Sequence, residues 1–282
     1  MAVVIPRLPI ELWGVGLHGG GPCSVRLAHA AGAPVTVRVG SEAAPVSSLR
    51  VTSTDRGVSV ATEDGRLGIA VVEHLFAALG GLGIRSGVAI SVEGGEVPLL
   101  DGGANELARA LLVLELPRSR PSLRVTHGAT LHSGDSTYVF EPRDGVELEV
   151  EVEFPGVGRE AAHFNGNADT FVSEIAPART FGYAAEEQQL RARGLARGAH
   201  PHSVLVLDDC GHAVPPSAPR QPLELARHKL LDLVGDLYLH GGPPLGRLVA
   251  RRPGHRATHQ LVALALAEGI LERIFENPPG EG

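Results

Sequence analysis

Nine consecutive residues, Val146-Glu147-Leu148-Glu149-Val150-Glu151-Val152-Glu153-Phe154, alternate between apolar and acidic without a break. Neighbouring side chains of a strand point to opposite faces, so this run makes a strand with one face buried and the other in water. Further β-like runs lie at Cys23–Leu27, Val35–Val39 and Gly87–Val92 in the first half. In the second they lie at Leu123–Thr126, Ser136–Glu141, Ser203–Asp208 and near Leu245–Val249. Helical patterns fall between them. Ala70–Leu82 carries Val72, Leu75, Phe76 and Leu79 at the spacing of one apolar face, with Gly80 and Gly81 as its expected stop. Others are expected at Asn105–Leu114, Glu186–Arg193, Leu223–Leu239 and Thr258–Phe275. The Pro-rich stretch Leu116–Pro121 reads as a linker. Each half thus runs from strands to a helix. The expected fold class is α+β, with two domains of similar build, residues 1–117 and 121–282, although no sequence repeat is visible.

Composition narrows the function. A length of 282 residues suits one large or two ordinary domains. Aromatics are only 4% of the chain against 43% hydrophobic residues, so the core is expected from Leu, Val, Ile and Ala. A net charge of -7 argues against a nucleic-acid partner. Two cysteines, Cys23 and Cys210, are too few for a disulfide scaffold or a Cys-rich zinc site. No stretch approaches the roughly 20 apolar residues of a membrane span, so a cytoplasmic, monomeric protein without stable membrane insertion is expected.

Chemically useful groups concentrate on the helix Leu223–Leu239. His228, Asp232 and Asp236 fall at i, i+4 and i+8 and form one polar stripe among Leu223, Leu230, Leu231, Val234 and Leu237. Imidazole and carboxylate at that spacing can chelate one metal ion, and the donor types suit zinc. A helix surface with a His–Asp pair would read the same way. The chain's single Lys among 25 basic residues, Lys229, lies in this segment. Lys is a slender, movable ammonium where Arg is a rigid fork, so the choice can be steric. Glu73-His74, at a strand-to-helix passage, offers a further ligand and an adjacent base, although a Glu there also suits a helix start. Thr180, in Ala178-Arg179-Thr180-Phe181-Gly182, could donate to a developing oxyanion, and His255, on the Gly turn of Pro253-Gly254-His255-Arg256, could act as general acid. His29, His127, His163, His200, His202, His212, His240 and His259 read as solvated bystanders.

Together these residues make the chain resemble LpxC, the zinc-dependent UDP-3-O-acyl-N-acetylglucosamine deacetylases of lipid A synthesis. The resemblance is carried by Gly14-Val15-Gly16-Leu17-His18-Gly19-Gly20, Val72-Glu73-His74-Leu75, Glu96 to Gly102, Ala178 to Gly182, Arg193-Gly194-Leu195, Val206 to Asp209, and Arg227-His228-Lys229 through Asp232 to Leu237. It implies His74, His228 and Asp232 as metal ligands for zinc (Fe2+ being the alternative ion) and Glu73 as general base. Thr180 would polarise the acetamide carbonyl with the ion, Lys229 would lie beside the developing charge, and His255, oriented by Asp236, would protonate the leaving amine. Phe154, Phe181 and Lys229 are the implied substrate contacts, and a UDP-linked acyl sugar the implied partner. The resemblance further implies a sheet packed on helices in each domain, the active site between the domains, and an insert in each, the second within Phe181–Asp208. The chain departs from the family pattern at Ala70-Val71-Val72, in the Pro-rich Val214–Pro222 and at Gly198–His202. Those loops leave open a second reading, a deacetylase of another N-acyl nucleotide sugar. A third is a non-catalytic paralogue that binds nucleotide-sugar.

Overall fold

The computed structural model describes residues 8–274. From the N-terminus the chain runs through β1 (Ile10–Val15), β2 (Pro22–Pro34), β3 (Thr36–Val39) and β4 (Glu42–Pro45). A small three-stranded sheet follows: β5 (Arg50–Ser53), β6 (Ser59–Ala61) and β7 (Gly68–Ala70). Helix α1 (Glu73–Gly81), strand β8 (Ser86–Glu93) and helix α2 (Asn105–Val113) complete the first half. The second half opens with β9 (Leu123–Val125), β10 (Ala129–Ser133), β11 (Ser136–Glu141), β12 (Val146–Phe154) and β13 (Gly158–Phe164). The one-turn helix α3 (Ala168–Thr170) leads to β14 (Thr180–Tyr183), α4 (Glu187–Ala192) and β15 (Val204–Leu207). Last come α5 (Glu224–Tyr238), β16 (Gly246–Arg251), α6 (His255–Ala267) and β17 (Leu271–Arg273).

The two main sheets run β1-β2-β8-β3-β4 and β10-β11-β16-β12-β13. In both, the last strand in sequence inserts between the second and third, antiparallel to one and parallel to the other. The halves therefore share one topology, in which α1 corresponds to α5 and α2 to α6. The nine-residue alternation forms β12 at its expected bounds. Leu148, Val150 and Val152 are buried, while Glu149, Glu151 and Glu153 pair with Arg247, Arg251 and Arg252 on the wet face. Helix α5 covers the apolar side and packs on α1. One hydrophobic cluster runs from Val25 to Leu271, so the halves share a core.

Helix α1 is buried on every side, from Glu73 to Gly81, rather than on the single face expected from its pattern. Its second face is built of small residues that let α5 approach. A Cβ on Gly80 would lie 3.1 Å from Val234, and one on Gly235 would overlap the carbonyl oxygen of Glu73. Gly80 and Gly81 are thus packing residues inside the last turn. The stop itself is Gly83, whose φ of 69° closes a terminal motif in which Ile84 N–H donates to Leu79 and Gly83 N–H to Gly80. Gly235→Ala is expected to force the helices apart, costing about 1–3 kcal/mol. Thermal unfolding would measure it, and an unchanged midpoint would contradict this packing.

Two helix boundaries differ from expectation. Ala70 belongs to β7, pairing with Ser59, so α1 starts three residues later than its apolar pattern. The last helix begins at His255 and ends at Ala267, because Gly269 at φ 72° turns the chain back and Leu271–Arg273 pairs with β9. The expected end at Phe275 lies outside the described residues.

Candidate active site

Two left-handed residues deliver the site. Val71, at φ 57°, kinks the chain between β7 and α1, and Leu223, also at 57°, precedes α5. A β-branched residue in that region is a genuine outlier that stores about 1–3 kcal/mol of strain. Beyond the kink, Val72 N–H donates to Val58 O, and Glu73 and His74 form the first turn of α1. Glu73 Oε2 accepts the Val58 N–H at 2.9 Å. Burial chiefly pushes the Glu73 carboxyl up to about 7, with Asp232 adding to the rise and His255 opposing it.

Across the helix contact, the His228–Asp232–Asp236 stripe faces His74. The Nε2 atoms of His228 and His74 lie 3.5 and 3.9 Å from Asp232 Oδ1, and the three ligand atoms fall within 4.8 Å of one another. His228 Nδ1 donates to Ala178 O at 3.0 Å, which leaves Nε2 as its lone-pair atom. Burial, then the neighbouring His228, pushes His74 down to about 3, and burial also lowers His228, so both imidazoles are neutral. Burial opposes ionisation of Asp232, yet Lys229 and the histidines hold its carboxyl well below the usual range. Its Oδ1 atom is buried without a hydrogen-bond partner. Two neutral imidazoles aimed at an unpartnered buried carboxylate oxygen are a donor set that fits a divalent transition ion.

His255 lies beside Asp232, its Nε2 at 4.0 Å from Oδ2. It is the first residue of α6 rather than part of a turn, and its Nδ1 donates to both Asp236 oxygens at 3.0 Å. Burial and a helix N-terminus both disfavour an imidazolium there. The carboxylates of Asp236 and Asp232 overcome the burial and push His255 up to about 10. Asp236 itself is almost fully buried and does not line the cleft, which it meets only through its bond to His255. Glu73, His74, Thr180, His228, Lys229 and His255 all line a single cleft of about 960 Å³, as do Phe154 and Phe181, whose rings meet edge-on at 5.0 Å. At its mouth Arg56, in the β5–β6 turn, pairs with Glu186 ahead of α4 at 3.2 Å, joining the two excursions from the repeated topology.

Comparison with known proteins accords with this geometry. The family model described as "LpxC: UDP-3-O-acyl N-acetylglycosamine deacetylase" matches residues 7–267. The chain belongs to the LpxC family. Proteins named UDP-3-O-acyl-N-acetylglucosamine deacetylase from Brucella melitensis biotype 2 and Brucella ovis are each 35% identical over 95% of this chain and 96% of their own length. LpxC-family proteins are deacetylases and metalloenzymes, and the His74, His228 and Asp232 cluster supplies a candidate metal site.

The expected LpxC residues converge, but two groups that hold them were missed in the sequence. Arg179 grips Glu224 with Nε to Oε1 at 2.7 Å and Nη2 to Oε2 at 3.0 Å, and its own N–H reaches Oε1. This buried fork pins Ala178-Arg179-Thr180 to the start of α5 and so fixes the carbonyl that orients His228. Only the acidic first residue of α5 hinted at it. His259, read as a bystander, lies with Nε2 3.6 Å from Asp236 Oδ1 and Nδ1 2.9 Å from His240 Nε2. It falls on the inner face of α6 one turn beyond His255, a placement that becomes visible once the helix start is known.

Lys229 lines the cleft with its ammonium tied to Asp232. Its Nζ donates to Asp232 Oδ2 at 2.7 Å and lies 5.8 Å from the centre of the Phe181 ring. The ammonium engages one oxygen of Asp232 and leaves Oδ1 open. A guanidinium would fork across both oxygens. Lys229→Arg is therefore expected to weaken metal retention or turnover by about 10–100-fold, as loss of an outer ligand partner typically does. Metal content and kcat measured together would check this, and wild-type values for both would remove the steric reason for Lys.

Proposed function

We propose that the protein hydrolyses the N-acetyl group of a UDP-3-O-acyl-N-acetylglucosamine, releasing acetate, as a step of lipid A synthesis in the cytoplasm. The observation that carries this reading is the pairing, in one cleft with the His74, His228 and Asp232 donors, of a buried carboxylate near neutrality and a charged imidazole. A binding protein has no need of a base and an acid together. The names of the relatives supply the substrate class. The same reading divides the chain at 117 and 121, supported by the repeated sheet order.

Zinc is the proposed ion, held by His74, His228 and Asp232; when bound, it would acidify a water and polarise the acetamide carbonyl. Glu73 takes the proton of the attacking water. The Thr180 hydroxyl, with Lys229 nearby, donates to the oxygen of the tetrahedral intermediate. An amine leaves poorly unless protonated, and His255 gives its proton to the sugar nitrogen while Asp236 holds the ring in register. Phe154 and Phe181 offer an aromatic wall to the substrate.

An acetate-release assay on the acylated and non-acylated UDP-sugars, with metal analysis of the same preparation, tests the proposal. Acetate release from the acylated substrate, abolished by chelation and restored by Zn2+, is expected. Equal turnover of the non-acylated sugar would favour a different N-acyl nucleotide sugar. Activity in fully chelated protein would overturn the metal assignment.

A further inference from the structure

A second set of mixed metal donors lies outside the cleft, in the turn that follows β15. Asp208, Cys210 and His212 each offer one ligand atom, and these atoms lie within 4.8 Å of one another. Zinc bonds of about 2.0–2.3 Å put tetrahedral donors roughly 3.3–3.6 Å apart. His212 Nδ1 and Asp208 Oδ2 already stand at 3.5 Å. Closing on a common ion therefore requires only a small swing of the exposed Cys210 side chain.

The turn is built to present these groups. Asp208 Oδ1 accepts the N–H of Cys210 at 2.9 Å and of His212 at 2.8 Å, which commits that oxygen and leaves Oδ2 for a ligand. Asp208 N–H donates to His212 O, and Leu207 bridges Ala213, which closes the turn at its base. Gly211 takes φ 77°, and a Cβ on Gly156 would overlap the backbone at Cys210, so the turn rests tightly on the loop after β12.

We propose that Asp208, Cys210 and His212 form a second, structural site for a zinc-class divalent ion, distinct from the cleft site. A thiolate, an imidazole and a carboxylate together select a borderline-soft ion over magnesium or calcium, and solvent completes the tetrahedron. The ion clips the end of β15 shut. Leu207 packs in the small cluster that includes Phe154, Phe181 and Tyr183, so the clip steadies the strand pair that carries Thr180.

Cobalt(II) distinguishes the two sites, because only one contains sulfur. The enzyme is loaded with two equivalents of Co2+ in place of its own metal and kept reduced with a non-thiol reductant. A thiolate-to-cobalt charge-transfer band in the near ultraviolet is expected. Cys210→Ser and His212→Ala should each lose the band and one bound equivalent, while the cleft site keeps its own. Cys23 cannot supply the sulfur in the folded protein, since it is buried within the N-terminal sheet and burial pushes its thiol up to about 11. Absence of the band in wild type, or its persistence in Cys210→Ser, would overturn the site.

Discussion

Glu73→Gln is expected to lower kcat by about 10²–10⁴-fold with little change in KM, the usual contribution of a positioned general base. The substitution is nearly isosteric. The amide oxygen of Gln can still accept the Val58 N–H, so the first turn of α1 and the cleft should keep their shape. What disappears is the capacity to take a proton. The pH profile supplies a second readout. As the proposed base Glu73 acts deprotonated, so the rate should rise as pH climbs through the value near 7 that burial imposes. His255 must be protonated, so the rate should fall again on the alkaline side, through about 10. A divalent ion in the cleft would draw both limbs downward, since positive charge favours the deprotonated forms. In Glu73→Gln the acidic limb should vanish from the residual activity while the alkaline limb remains. A variant with wild-type kcat would eliminate Glu73 as the base.

Asp232→Asn should have the second large effect, on both metal binding and stability. Asp232 is the negative centre of the site, with Lys229 on Oδ2, both ligand imidazoles near Oδ1, and His255 Nε2 at 4.0 Å from Oδ2. Removing its charge removes one anionic ligand, and affinity should fall by at least about 10²-fold, beyond the loss typical of an outer-shell partner. It also leaves the Lys229 ammonium without its carboxylate. Breaking a buried pair from one side typically costs about 3–5 kcal/mol; the lower end is expected here, because the Lys229 side chain is 23% exposed. Metal analysis and thermal unfolding with and without chelator separate the two effects. Chelation should lower the wild-type midpoint by more than that of Asp232→Asn. A variant that retained the full wild-type metal content would remove Asp232 from the ligand set.

Much of this was legible in the chain. The β12 alternation, the bounds of β11 and the helical segment around α5 follow from period and composition, because a sheet face and a helix stripe are local properties. The polar stripe His228, Asp232 and Asp236 was readable for the same reason: four-residue spacing puts the three side chains on one side of the helix wherever that helix goes. The family motifs added which other residues should meet them. The errors lay at boundaries and in strands that went unread, β1, β13 and the small sheet β5 to β7 among them. Ala70 and Val71 look helical in sequence, yet ladder pairing with Ser59 keeps Ala70 in the strand and the left-handed Val71 delays the helix to Val72 and Glu73. Likewise His255 was read as a loop residue, because the signal for the start of α6 is only Gly254, and a glycine before a helix is weak.

The sequence by itself determined the donors: two histidines and an aspartate able to hold an ion, a glutamate beside one of them, and a histidine after a glycine. Only the tertiary structure decided their states. Glu73 near neutrality and a charged His255 depend on how much water is excluded and which carboxylates stand within a few ångströms. Both are set by the close crossing of α1 and α5 over Gly80 and Gly235. The repeat that makes this crossing symmetrical, α1 in one half against α5 in the other, leaves no trace in the residues. Topology constrains which elements meet, and many sequences satisfy the same pairing.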